Sequence, residues 1–328
     1  MVLSQENLLS NDIKNEVMNT LIQKLEEHYV FPELAKSMRC KLEDFGQTHN
    51  FYDLCDEQLF CEAITKIMYN ETKDKHLRLV LKNDAMGEDP EEQEEEEDEY
   101  EEGTWRNNFG FSKLEVLPGN IGYLKLNLFD LTKTGGGAAV AAMNFLSNTS
   151  GLILDLRENG GGDPDMVSFL MSYFVEESIH HTTFYNRSNN STIQFWTTDY
   201  VQGKKYLDKP LHILTSPRTF SAAESFAYNF KVLKRATIVG ETTGGGAQPG
   251  RFHKIHSRFE AFISHGRAIN TETEDNWEGK GVQPDVEVNH KEAFDVSYKE
   301  MMSQLLETDG YQGDKFLRKE AQNILLKL

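Results

Sequence analysis

A serine at the start of a predicted helix is the first residue of this chain whose position suits chemistry. The segment Leu211–Ala227 has the pattern of a buried strand, a short turn and a helix that opens at Ser221. The first N–H groups of a helix have no partner within it, and with the helix dipole they favour negative charge. A hydroxyl there suits attack on a carbonyl group, and the N–H of Ala222 would stabilise the resulting oxyanion. Taken alone, the same serine is also an ordinary helix cap.

Three glycines follow a second buried strand. Residues 154–163, LDLRENGGGD, place Gly160, Gly161 and Gly162 directly before a predicted helix. Glycines allow a tight turn whose N–H groups point at a ligand. The turn therefore suits an oxyanion hole, a phosphate cradle or a plain strand–helix connection. No Lys-Ser/Thr pair follows and no GxGxxG is present, so nucleotide binding is the weaker functional interpretation.

A second glycine loop and three charged side chains lie close to these segments in the sequence. Residues 240–250, GETTGGGAQPG, form a loop that either shapes a substrate channel or is a flexible turn, and both interpretations stay open. Glu224 is expected to hold the helix start. Asp155 and Arg157 are expected to form a structural ion pair at the end of their strand.

Alternating strands and helices must position these residues. Such alternation predicts an α/β core with a parallel or mixed β-sheet covered by helices, with strand-rich additions at 181–199 and 251–264. The predicted order is strand Ile121–Leu128, helix Ala138–Leu146, strand Gly151–Leu156, helix Pro164–Phe174, strand Leu211–Thr215, helix Ser221–Leu233 and strand Thr237–Val239.

The chain before this core has a different pattern. Apolar residues recur every three or four positions in three short stretches, which predicts an N-terminal helical subdomain over residues 1–75. Residues 76–107 hold an alternating strand, from His76 to Lys82, and an acidic run expected to be a solvated, disordered loop. Residues 108–328 form the α/β core with C-terminal helices.

Charge and composition limit the partners. The formal net charge is -19, which argues against nucleic acid or an anionic membrane as a partner. Twelve of the carboxylates lie in residues 88–102, which leaves -7 for the rest of the chain. Three clustered cysteines suggest reduced thiols, and the lack of a secretory signal pattern predicts a cytoplasmic protein, with secretion open if a signal was removed. His253 and His256 alone cannot form a metal site, so no metal or cofactor is predicted.

Long motifs in a fixed order resemble the C-terminal processing (tail-specific) serine peptidases. They are DLRENGGG at 155–162, SPRTFSAAESFAYNFKVLKRATIVGETTGGG at 216–246 and WEGKGVQPDVEV at 277–288. YVFPELAKSM at 29–38 and DKHLRL at 74–79 are most similar to the branch with the tricorn core protease and the modules of interphotoreceptor retinoid-binding protein. The resemblance implies a core like that of crotonases and Clp proteases.

The resemblance also implies a role for each matched residue. Ser221 takes the place of the nucleophile, and His76 that of the general base. Ala222 and Gly161 would supply the oxyanion-hole N–H groups, and Glu278 is the candidate carboxylate that orients the base. A serine needs such a base to remove its proton, and the base needs a fixed tautomer.

Three departures from the family pattern affect this assignment. The processing peptidases carry a catalytic lysine where this chain has Gly246, so Ser221 must rely on histidine. The PDZ domain usual in those enzymes is missing, because only the acidic run separates the strand at His76 from the core. Tricorn has a serine directly before its histidine, whereas this chain has Lys75.

The sequence therefore predicts a serine peptidase that forms an acyl-enzyme on Ser221, with a peptide or unfolded protein as substrate and an oligomer left open. The chief alternative is a non-catalytic module that binds a retinoid or a fatty acid in the same fold. A third reading, an acidic interaction protein acting through residues 88–102, explains little of the remaining sequence.

Overall fold

The computed structural model describes residues 9–82, 104–308 and 313–326. These residues form two compact units, one made of 9–82, 183–193 and 248–268 and the other of the remaining described residues. The acidic run lies outside the described residues. The predicted boundaries at residues 75 and 107 stay a prediction.

Helices and strands alternate along most of the described chain. The helices are α1 (Asn11–His28), α2 (Pro32–Gly46), α3 (His49–Asp53), α4 (Glu57–Thr72), α5 (Thr132–Leu146), α6 (Pro164–Met171), α7 (Ala222–Val232), α8 (Ala293–Glu307) and α9 (Lys315–Leu325). The strands are β1 (Arg78–Leu81), β2 (Phe111–Leu117), β3 (Ile121–Leu126), β4 (Gly151–Asp155), β5 (His180–Asn186), β6 (Ser191–Trp196), β7 (Leu211–Thr215), β8 (Thr237–Gly240), β9 (Gly250–His256), β10 (Phe259–Ser264), β11 (Gly266–Asn270) and β12 (Val286–Glu287).

The first unit combines the predicted N-terminal helices with an antiparallel sheet of order β1-β10-β9. The helix α1 begins after Ser10, whose hydroxyl accepts a hydrogen bond from the N–H of Ile13. Apolar stripes of α1, α2 and α4 pack with β1 and β10 in one buried cluster. Three amphipathic helices thus bury their apolar faces together against a sheet, as their periodicity requires.

The second unit is built on a six-stranded sheet of order β12-β8-β7-β4-β3-β2. Its neighbours pair in parallel except β2 and β3, which are antiparallel. The predicted α/β core with a mixed sheet is therefore confirmed. All five residues of β4 and of β7 are buried, as expected for central parallel strands covered by helices on both faces.

One helix of this unit begins earlier than its sequence predicts. The helix α5 starts at Thr132 rather than Ala138 and includes three consecutive glycines, which weaken a helix through their backbone entropy. A Cβ on Gly135 would lie 3.1 Å from the Cβ atoms of both Asp130 and Phe109. Close packing at this glycine therefore accompanies a helical turn that propensity alone does not predict.

The strands β5, β6 and β11 form a separate three-stranded sheet in the order β11-β5-β6. Residues 181–199 contain most of β5 and all of β6, and residues 251–264 contain most of β9 and all of β10, so both segments are strand-rich, as their sequences predict. Across the described residues, every helix is too short or too polar to cross a membrane.

Candidate active site

Ser221 occupies a strained turn between β7 and α7. Its backbone has φ 55° and ψ -120°, a conformation that residues with a side chain rarely adopt. An ordinary helix cap has an extended backbone with negative φ, so capping alone does not account for this geometry. A sharp strand-to-helix turn of this kind presents a nucleophilic hydroxyl in α/β-hydrolases, and strained backbone concentrates at functional sites.

The glycine turn after β4 lies directly against Ser221. A Cβ atom added to Gly161 would be 2.8 Å from the Cβ of Ser221 and 3.2 Å from the backbone nitrogen of Ala222. Gly161 has φ +119°, which also disfavours any side chain. The two motifs that the sequence separates by about sixty residues are thus in contact, and only glycine fits between them.

The backbone N–H groups around Ser221 differ in whether they already donate a hydrogen bond. The N–H of Gly161 donates to the side-chain oxygen of Asn159 over 2.9 Å. In the described part of the chain, the N–H groups of Ala222 and Gly160 have no hydrogen-bond partner. Ala222 therefore has the free donor that an oxyanion hole needs, whereas Gly161 would first have to exchange its bond to Asn159. The donor role of Gly161 stays a prediction, while its close approach to Ser221 is an observed feature.

Asn159 is a residue that sequence reasoning missed. Asn159 is fully buried, and its side-chain amide donates to the backbone carbonyl of Leu126 over 3.0 Å. The backbone carbonyl of Asn159 accepts from the N–H of Phe220 over 3.0 Å. Together with its bond to Gly161, these contacts tie the glycine turn to the end of β3 and to the turn that carries Ser221. Asn159 lies within the DLRENGGG motif, but the residue type alone does not distinguish this role from that of an ordinary loop asparagine.

Glu224 binds the N–H of Ser221 at the start of α7, as expected, and also binds the second glycine loop. Its buried carboxylate accepts four hydrogen bonds, from the N–H groups of Ser221 (2.9 Å), Gly245 (2.6 Å) and Gly246 (2.8 Å) and from the hydroxyl of Thr243 (2.5 Å). Burial raises the pKa of Glu224 to about 7, although the four hydrogen bonds favour the charged form. This carboxylate links the nucleophile turn to the second glycine loop.

The second glycine loop is held on both sides. Besides the bonds to Glu224, the carbonyl of Gly246 accepts from the indole N–H of Trp277 over 2.8 Å, and the N–H of Ala247 donates to Glu278 over 2.5 Å. The N–H of Gly244 donates to the carbonyl of Thr219 over 2.9 Å. The loop is therefore a braced element that supports the Ser221 turn, rather than the flexible turn that its composition allows.

Glu278 lies beside this loop. One of its carboxylate oxygens accepts from Ala247, and its backbone N–H donates to the side chain of Asn276 over 2.9 Å. These contacts fix the side chain within the second unit. Its predicted role in orienting the base stays a prediction.

His76 belongs to the first unit, where it precedes β1. Its backbone N–H donates to the carboxylate of Asp74 over 2.9 Å, and its ring stacks on Phe262 with 5.6 Å between centroids. Burial, aided by the nearby Arg78 charge, lowers the pKa of His76 to about 4. The imidazole is therefore neutral at pH 7, which is the form able to accept a proton. Its role as the general base stays a prediction.

Asp155 and Arg157 form the expected ion pair. The guanidinium meets the carboxylate at 2.6 Å and 2.9 Å, and the hydroxyl of Tyr123 donates to the same carboxylate over 2.6 Å. Burial opposes ionisation of Asp155, but the bonds from Arg157 and Tyr123 outweigh it and lower the pKa of this carboxyl. The pair lies at the carboxyl end of β4 and braces the chain that leads to the glycine turn.

The chain is similar to known proteins over parts of its length. The family model described as peptidase family S41 matches residues 120–288. The chain is 31% identical over 150 residues to a carboxyl-terminal-processing protease of Synechocystis sp., a match that covers 46% of this chain and 32% of that protein. It is 27% identical over 100 residues to the tricorn protease of Thermoplasma volcanium, covering 30% of this chain and 8% of that protein.

A solved structure adds a likeness in fold. The structure of the photosystem II D1 C-terminal processing protease superposes with a TM-score of 0.51 at 16% identity, covering 86% of this chain and 94% of that one. The matches span a third or less of the length of the two curated relatives. The family match contains Gly161, Ser221 and Glu278, whereas His76 precedes it. The family model matches just over half of the residues of this chain, so the chain belongs to peptidase family S41.

Proposed function

We propose that this chain is a serine peptidase that cleaves peptide bonds through an acyl-enzyme on Ser221. The contact between Gly161 and the strained Ser221 turn carries the proposal, because it packs the glycine turn against both the Ser221 side chain and the free N–H group of Ala222. Membership of the peptidase family supports the same chemistry. A plain helix cap requires neither the positive φ of Ser221 nor a glycine packed against it.

In the proposed reaction, the Oγ atom of Ser221 attacks the carbonyl carbon of the scissile bond. His76 takes the hydroxyl proton and then gives it to the leaving amine, so the acyl group is left on Ser221. The N–H of Ala222 donates to the oxyanion of the tetrahedral intermediate. A water molecule then attacks the acyl-enzyme by the reverse sequence of proton transfers and releases the acid.

Histidine is the proposed base because the alternative used by the processing peptidases is lacking. Gly246 stands where those enzymes carry their lysine, and its N–H is bound by Glu224. Glu224 itself accepts four hydrogen bonds through its oxygens, so it supports the turn instead of removing a proton. The neutral state of His76 at pH 7 suits a base, and Glu278 is the proposed carboxylate that orients it.

The substrate is proposed to be a peptide or an unfolded segment of a protein. The names of the relatives, a carboxyl-terminal-processing protease and a tricorn protease, point to peptide and protein chains. Assembly into an oligomer stays open.

Labelling with a serine-reactive fluorophosphonate tests the nucleophile and the base. We expect the intact protein to react, Ser221→Ala to lose the label, and His76→Ala to react at least a hundredfold more slowly. The matched controls are Ser225→Ala, one turn further along α7, and His256→Ala on β9, which should label at the normal rate.

Two outcomes would contradict the proposal. A folded, unlabelled protein that binds a retinoid or a fatty acid tightly would replace the peptidase with a binding module. A His76→Ala protein that reacts at the normal rate would remove His76 from the mechanism. For Glu278, an unchanged rate of peptide hydrolysis in Glu278→Gln would remove it from the site.

A further inference from the structure

A cavity of the second unit lies at the carboxyl ends of two parallel strands. Lys125 of β3 and Asp155 of β4 are register partners there, and both line a cavity of about 300 Å³. Ligands of open α/β sheets bind outside the carboxyl ends of the strands. The glycines of the candidate active site do not line this cavity, so it is a separate feature.

The charges around the cavity are unbalanced. Four cationic side chains face two carboxylates, and one histidine completes the lining. The chain as a whole carries -19, so the excess of positive charge in this cavity is opposite in sign to the net charge of the molecule. A cleft lined by one sign of charge concentrates counter-ions of the other sign. The lining residues are Lys125, Arg157, Arg218, Lys291, Asp155, Glu158 and His290.

The two carboxylates are already neutralised by the two arginines. Asp155 binds Arg157 through two hydrogen bonds, and Glu158 pairs with Arg218. Among residues 9–82, 104–308 and 313–326, no carboxylate pairs with the ammonium groups of Lys125 or Lys291. The excess charge therefore belongs to these two lysines.

Arg157 adds a fixed donor group to the two lysines. Its Nε and Nη2 atoms donate to Asp155, and its Nη1 atom donates to the carbonyl of His290 over 2.6 Å. These bonds hold the guanidinium in place through three of its five N–H donors. A guanidinium held in place before a ligand arrives loses little entropy on binding it.

We propose that this cavity binds an oxyanion, a carboxylate or a phosphate group, through the ammonium groups of Lys125 and Lys291 and the guanidinium group of Arg157. Metal cations would be repelled by the same charges. The cavity volume of about 300 Å³ accepts such a group with a few further atoms attached.

The wall of the cavity is continuous with the turns that hold Ser221. The hydroxyl of Ser216 donates to the carbonyl of Arg157 over 2.5 Å and accepts from the N–H of Arg218 over 3.0 Å. Arg218 lies three residues before Ser221, and Arg157 lies four residues before Gly161. A bound oxyanion would therefore contact the segment of the glycine turn through Arg157 and lie beside Arg218 of the segment that carries Ser221.

Calorimetric titration with inorganic phosphate at constant ionic strength tests the site. We expect one phosphate to bind per chain, and the double variant Lys125→Gln/Lys291→Gln to bind at least tenfold more weakly. The matched control, Lys204→Gln/Lys299→Gln, removes the same charge from two exposed lysines outside the cavity and should bind within twofold of the intact protein. No heat of binding in the intact protein, or equal weakening in both double variants, overturns the proposal.

A competition experiment in Ser221→Ala, which cannot turn over a peptide, separates the two sources of the oxyanion. Displacement of phosphate by a peptide with a free terminal carboxylate, but not by its amide, identifies the ligand as a substrate carboxylate; this reading rests on the proposed function. Phosphate binding that neither peptide disturbs identifies a free anion. Phosphate affinity is measured without catalysis, so a failure of the peptidase proposal leaves this test intact.

Discussion

At the scale of single residues, the site depends on one glycine that has no room for a side chain. A methyl group on Gly161 would collide with the Cβ of Ser221 at 2.8 Å and would adopt a strained φ of +119°. We expect Gly161→Ala to slow fluorophosphonate labelling at least a hundredfold and to lower stability by about 1–3 kcal/mol. The labelling rate and the free energy of unfolding in urea measure the two effects.

Gly160→Ala is the matched control for this variant. A Cβ there meets no atom within 4 Å, and Gly160 is not among the glycines with positive φ. It should label at close to the normal rate. Equal behaviour of the two variants would show that the contact with Ser221 has no functional role.

Glu224 gives the site a pH-dependent stability. Its pKa rises from 4.5 to about 7 on folding, so between these values the folded state holds a proton that the unfolded state has lost. The contribution of Glu224 to the free energy of unfolding is fully present below pH 4.5 and is lost as the pH rises through about 7. At about 1.4 kcal/mol per pKa unit, the loss is about 3 kcal/mol.

The variant Glu224→Gln cannot titrate, so its stability should fall less than that of the intact protein between pH 5 and pH 8. At pH 5 it should itself be less stable by about 2 kcal/mol, because an amide nitrogen replaces an oxygen that accepts N–H groups. Urea unfolding at both pH values measures this, with the exposed Glu292→Gln as the control. A parallel pH dependence of Glu224→Gln and the intact protein would contradict the assignment.

At the scale of elements, the second glycine loop is positioned by side chains of other segments. The hydroxyl of Thr243 donates to Glu224 over 2.5 Å and accepts from the N–H of Val282 over 2.7 Å. Thr243→Val keeps the shape and removes both bonds, so we expect a loss of about 2 kcal/mol and labelling about tenfold slower. The neighbouring Thr242→Val should change neither, since within the described chain Thr242 makes no side-chain hydrogen bond. Equal labelling by both variants would show that the loop does not support Ser221.

The first helix shows how a local pattern can miss a tertiary contact. The stripe Ile13, Val17, Leu21 and Leu25 correctly predicts α1, but Lys14 beside it is fully buried as well. Its ammonium group donates to three backbone carbonyls at the end of α3, those of Phe51, Tyr52 and Leu54, at 2.8–3.0 Å. Helical periodicity assigns a lysine to the exposed face of a helix. It cannot predict the burial of Lys14, because the carbonyl groups that bind its ammonium group belong to another segment.

At the scale of the whole molecule, most of the net charge lies in one run of the sequence. Replacing residues 88–102 with Gly and Ser residues of equal number changes the formal net charge from -19 to -7. If this run is a solvated loop, labelling of Ser221 should stay within twofold and the unfolding midpoint should be nearly unchanged. A tenfold change in the labelling rate would assign the run a role at the site.

The sequence by itself determined the α/β class, the order of most strands and helices, and the positions of Ser221 and the glycine turn. These follow from local periodicity, turn chemistry and long motifs. Only the tertiary structure decided that Gly161 lies on Ser221, that its N–H is engaged by Asn159, and that Glu224 joins the nucleophile turn to the second glycine loop. Such contacts join residues far apart in the chain, and no local pattern encodes the distances between them.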